Sequence, residues 1–130
     1  MIDNIRESVN PGEPPDSEYT RSVSISRGKE TVVVMFLGPR LDQRTAPSFL
    51  GAVSQVLDRW PEMGLVLDLG RVLDMDNDGL TAIIRIFKRI LSNQRSLLIC
   101  GVNARLQELF RITMLDQTLG THYQPGQSLH

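Results

Sequence analysis

Three short apolar runs, Thr31-Val32-Val33-Val34-Met35-Phe36-Leu37, Gly64-Leu65-Val66-Leu67-Asp68-Leu69 and Ser96-Leu97-Leu98-Ile99-Cys100, are separated by stretches whose apolar residues recur every three or four positions. This alternation constrains the fold more than any other feature. The runs have strand length, and the first is rich in β-branched residues. Between the first two, Phe49, Leu50, Val53, Val56, Leu57 and Trp60 keep helical spacing across 46–60, with Thr45 as N-cap and Pro47 in the first turn. Between the second and third, Leu80, Ile83, Ile84, Phe87, Ile90 and Leu91 trace one face, while Thr81, Arg85, Lys88 and Arg89 lie toward the other. Helical crossovers place successive strands parallel. Ahead of them, Val23-Ser24-Ile25-Ser26 alternates apolar and polar and meets the first run through the turn-like Arg27-Gly28-Lys29-Glu30, which predicts a hairpin. Asn103 caps a third helix that carries Leu106, Leu109 and Phe110 and ends near Thr113. The expected architecture is α/β, a mixed β-sheet with an N-terminal hairpin followed by alternating strands and helices packed against it.

A chain of 130 residues suits one domain. Residues 1–20, with Pro11, Gly12, Pro14 and Pro15 among polar groups, carry too little apolar surface to offset the entropy of ordering them and read as a flexible tail. A shorter tail is expected at 124–130, leaving 21–123 as the folded unit. A hydrophobic content of 41% with a net charge of -1 suits a cytoplasmic domain and exerts no global pull toward nucleic acid or anionic membrane. No run reaches membrane-spanning length, and the N-terminus lacks an export signal, so no direct membrane insertion is expected. The single cysteine, Cys100, lies in an apolar run and reads as a buried thiol.

Chemistry concentrates in Asp74-Met75-Asp76-Asn77-Asp78-Gly79, between the strand Gly64–Leu69 and the second helix. Asp74, Asp76, Asp78 and Gly79 match the opening of a helix-loop-helix calcium loop, but the twelfth position, where a bidentate glutamate belongs, is Arg85, and a strand stands where the entering helix should be. No metal is expected. Asp74 and Asp76 also resemble the paired aspartates of haloacid-dehalogenase-type phosphatases. Asp78 replaces the expected threonine, however, no acidic pair follows the later strand Leu97 to Cys100, and His122 and His130 are poorly placed for acid or base work. An enzyme is therefore the remote alternative. The plain reading is a capped helix, with Asn77 and Asp78 as good cap types at a terminus whose free N–H groups favour a negative group. There is no Gly-rich phosphate loop to suggest a nucleotide cofactor. Arg85, Lys88, Arg89 and Arg95, without interleaved aromatics, read as solvated charge and not as a nucleic-acid patch.

The order of these pieces resembles the STAS domains, typified by bacterial anti-sigma factor antagonists. Leu67-Asp68-Leu69, then Gly70-Arg71-Val72, then Asp76-Asn77-Asp78-Gly79-Leu80 are similar to the family's Leu-Asp-Leu strand end and its Asp-Ser-Ser-Gly-Leu helix start. Leu41-Asp42 is similar to its Gly-x-Leu-Asp, and Val102-Asn103 to Leu115 to its final helix. The likeness covers 21–123. It implies a non-enzymatic protein-interaction regulator whose partner is an anti-sigma factor and serine kinase, or another STAS-containing assembly. A subunit of a signalling scaffold or of a lipid-transport ATPase complex is the alternative.

In such antagonists the residue after the motif aspartate is a serine or threonine, and its phosphorylation repels the partner through roughly -1.5 to -2 units of added charge. Here that position is Asn77, which has no hydroxyl, so the usual switch is expected to be absent. Asp78 adds a permanent carboxylate, compatible either with imitation of the modified state or with constitutive binding. Thr81 is a candidate substitute phosphosite. The expected partner surface is Asp42, Asp76, Asn77, Asp78, Gly79, Leu80, Thr81 and Arg85.

Overall fold

The computed structural model describes residues 3–4, 22–124 and 126. Its elements run β1 (Asp3–Asn4), β2 (Val23–Arg27), β3 (Thr31–Phe36), β4 (Arg40–Leu41), α1 (Ala46–Arg59), β5 (Gly64–Asp68), β6 (Asp74–Met75), α2 (Asn77–Ser92), β7 (Leu97–Cys100), α3 (Ala104–Ile112), α4 (Leu115–Leu119) and β8 (Tyr123–Gln124). A six-stranded sheet has the order β1-β2-β3-β5-β7-β8, and β4 pairs separately with β6. The hairpin β2–β3 is antiparallel, whereas β3–β5, β5–β7 and β7–β8 are parallel. This is the mixed sheet that the alternating pattern predicts. Of the tails set at 1–20 and 124–130, Asp3–Asn4 pairs antiparallel with β2 and Gln124 pairs with Cys100. The other tail residues, apart from Gly126, lie outside the described ones.

Register decides which side chains enter the core. Ile25, Val34, Leu67 and Ile99 stand opposite one another across four strands, as do Val32, Leu65 and Leu97 across three. A two-residue side-chain period puts both rows on one face. They form one buried cluster with Phe49, Val53 and Leu57 of α1, Ile83, Ile86 and Ile90 of α2, and Leu106 and Phe110 of α3. Phe36 and Phe49 meet edge to face, 5.4 Å between ring centres, joining sheet to helix. The other face carries Val33 and Leu98, both half-buried, and at its end Asp68, wholly buried. Cys100 is buried, as its apolar surroundings predict.

The helix stripes need two adjustments. Leu91 is 48% exposed, because the buried stripe of α2 runs through Ala82, Ile83, Ile86, Phe87 and Ile90. Leu50 is half-buried at the edge of α1. Arg95 is no part of a helix face. Its guanidinium donates to the carbonyls of Met63 at 2.8 Å, Leu57 at 3.2 Å and Trp60 at 2.7 Å, closing the C-terminal end of α1. Burial and then the nearby Arg89 charge pull its pKa below the usual arginine value.

Candidate functional site

The Asp74–Gly79 stretch leaves the C-terminal end of the parallel sheet and turns into α2. The turn starts at Asp68, whose Oδ1 accepts the Gly70 N–H at 2.9 Å. Leu73 and Asp74 both donate backbone N–H groups to the Pro39 carbonyl, which lays β6 beside β4.

The cap of α2 is Asp76, one residue before the two cap candidates suggested by sequence. Its Oδ1 accepts from the N–H groups of Asp78 at 2.9 Å and Gly79 at 3.1 Å, satisfying donors that the helix start leaves free. Its Oδ2 accepts the Gln43 N–H at 3.0 Å, tying the helix start to the β4–α1 loop. Asn77 and Asp78, the first two helical residues, are exposed. Gly79 is buried for a reason of space. A Cβ there would lie 2.3 Å from the Leu41 carbonyl oxygen and 2.5 Å from Met75 Cγ, so only glycine lets α2 approach the β4–β6 pair. Leu80 is also buried and belongs to the core.

Asp42 organises the facing loop. Its Oδ1 accepts from the N–H groups of Arg44 at 3.0 Å and Thr45 at 3.3 Å, and its own N–H donates to Thr45 Oγ1 at 2.9 Å. Thr45 stands at the cap position of α1, but its hydroxyl donates to the Arg40 carbonyl and makes no side-chain cap bond. Partial desolvation raises the Asp42 carboxyl pKa. The two N–H groups, the Thr45 hydroxyl and the Arg40 charge outweigh this and hold it below its ordinary value.

The three motif carboxylates diverge. Asp74 faces the guanidiniums of Arg40 at 3.8 Å and Arg105 at 3.6 Å, Asp76 is committed to backbone donors, and Asp78 points to a groove. Among the described residues no three His, Cys, Asp or Glu side chains gather as metal ligands would. His122 contacts the Leu97 carbonyl, at the opposite end of the sheet from Asp74 and Asp76. His130 lies outside the described residues.

The groove runs between the N-terminal parts of α1 and α2, with a volume of about 230 Å3. Ala46 and Ala82 form its floor, and Pro47 and Leu50 its α1 wall. Gln43, Asp78, Thr81 and Arg85 form the polar rim. Four of the expected surface residues, Asn77, Asp78, Thr81 and Arg85, are thus exposed along one side of α2, while Asp42 and Asp76 hold the loop and helix behind them. Gln43, Pro47 and Leu50 were not legible as site residues. Leu50 in particular fits the apolar period of α1 and reads as core.

A family model for the STAS domain matches residues 24–126, and the chain belongs to that family. Solved structures share the fold. One is a Thermotoga maritima protein assigned as an anti-sigma factor antagonist, 18% identical with a TM-score of 0.69, covering 86% of this chain and 91% of that one. An anti-sigma factor antagonist from Mycobacterium paratuberculosis is 20% identical with a TM-score of 0.68, covering 82% and 86%. The Bacillus cell fate determinant SpoIIAA in its phosphorylated form is 14% identical with a TM-score of 0.61, covering 81% and 91%.

Proposed function

We propose that this STAS domain is a non-enzymatic, cytoplasmic regulator that binds a protein partner of the anti-sigma factor and serine kinase type through the start of α2, without phosphorylation at Asn77. The observation that carries this reading is the exposed Asn77–Asp78 pair on a helix start capped by Asp76 and tied by it to Gln43. A neighbour of the same fold, SpoIIAA, occurs in unphosphorylated and phosphorylated forms. By the family resemblance that modification belongs at the position of Asn77, where an amide accepts no phosphate. Asp78 supplies one fixed negative charge in its place, less than a phosphate carries. The exposed Thr81 is the substitute acceptor to be checked.

The test is affinity capture from native lysate with wild type, Asn77→Ser and Asp78→Lys, followed by mass spectrometry of partners and phosphosites. A kinase-like ATPase retained by wild type, lost with Asp78→Lys and able to phosphorylate Asn77→Ser supports the reading. Retention of a membrane transport ATPase alone, or capture indifferent to the α2 changes, overturns it.

A further inference from the structure

Asp78 and Arg85 stand seven residues apart on α2, two turns or about 10 Å along its axis, and both line the groove against α1. Among the described residues neither has an ion-pair partner, whereas Asp74 faces two arginines, Arg89 pairs with Asp58 and Arg111 with Glu108. Between these two charges, inside a rim that includes Thr81, the groove has an apolar lining of Ala82, Pro47 and Leu50. Its volume of about 230 Å3 falls below the roughly 300–1,000 Å3 usual for small-molecule sites. It suits an anchoring side chain within a polar rim, the arrangement of a protein-interface hot spot. The groove lies between two helices and offers no strand edge, so an inserted helix fits it better than an added strand.

We propose, resting on the partner-binding reading above, that this groove receives an amphipathic helix of the partner lying antiparallel to α2. From its N-terminus that helix presents an acidic, an apolar and a basic side chain at i, i+4 and i+7. The acidic group meets Arg85, the apolar one enters beside Leu50, and the basic one meets Asp78. The direction follows from charge. A helix favours acidic groups near its start and basic groups near its end, and antiparallel packing brings its negative C-terminal end to the positive start of α2.

The probes are two stapled helical peptides, one with Glu, Leu and Arg at those three positions and one with Arg and Glu exchanged, titrated into the full chain while backbone amide shifts are followed. The first peptide shifts amides of 43–50 and 78–85 and binds about fivefold tighter than the second, the scale of two exposed ion pairs. The double variant D78K/R85E inverts that preference, and Leu50→Ala weakens both peptides. Absence of shifts at about millimolar peptide, or a preference that does not invert, overturns the proposal. Should the peptides fail while lysate capture still depends on Asp78, the helix chemistry is wrong and the wider reading stands. If capture is also indifferent to Asp78, both fall.

Discussion

Asp76 and Arg95 perform matching tasks at opposite ends of the sheet. Asp76 satisfies free N–H groups at the start of α2, and Arg95 satisfies carbonyls at the end of α1. Each also reaches beyond its helix, Asp76 to Gln43 and Arg95 to Met63. The difference lies in what surrounds them. Arg95 is half-buried and its bonds all run into the fold, so that end of the molecule is closed. Asp76 is exposed and holds a helix start whose next two side chains face solvent. Identical capping physics gives a clasp at one end and a presentation platform at the other.

The platform is most sensitive at Gly79. Gly79→Ala forces a methyl into the Leu41 carbonyl and Met75, and the expected loss of about 3 kcal/mol in urea unfolding exceeds the gain of about 1 kcal/mol from removing a helical glycine. A variant as stable as wild type would mean that α2 does not press on the β4–β6 pair.

Arg95→Ala comes next. Loss of three carbonyl contacts by a charged donor costs about 2 kcal/mol, read by the same unfolding curve. Partner or peptide binding at α2 stays unchanged, which separates the clasp from the platform.

Asp76→Ala removes the cap and the Gln43 tie and costs about 1–2 kcal/mol, with faster amide exchange at Asp78 and Gly79. Binding at α2 weakens beyond what stability accounts for. Asp76→Asn keeps one oxygen acceptor and recovers part of the stability.

The smallest effect concerns acid. Because the folded-state pKa of Asp42 lies below its ordinary value, its contribution to stability is complete above the unfolded-state pKa and fades as pH falls through the folded one. Wild type therefore loses slightly more stability than Asp42→Asn on acidification below about pH 4, measured by urea midpoints across that range. Parallel curves for the two proteins would assign the loop order to its backbone alone.

Much of this arrangement was legible because it is local. β-branched runs, a three- and four-residue period and an Asn103 cap are properties of neighbouring residues, and the hairpin, parallel strands and three main helices follow from them. The β4–β6 pair was not legible, since two-residue strands have no period and their partners lie thirty-four residues apart. The break between α3 and α4 is made by Met114 with φ of 62°, a residue type that gives no turn signal. Arg95 read as one more surface cation because nothing in its neighbourhood says that three carbonyls converge on it.

Spacing along the chain set the alternation of strands and helices, most of the apolar face of each helix and the place of a polar strand-to-helix turn. Contacts between distant segments made Asp76 the cap, made Gly79 necessary beside the Leu41 carbonyl, and set Asp78 and Arg85 at a groove completed by Leu50. Those outcomes depend on which backbone groups β4 and α1 bring within hydrogen-bonding or contact distance, and that proximity is made by the sheet's crossovers and not by neighbours in sequence.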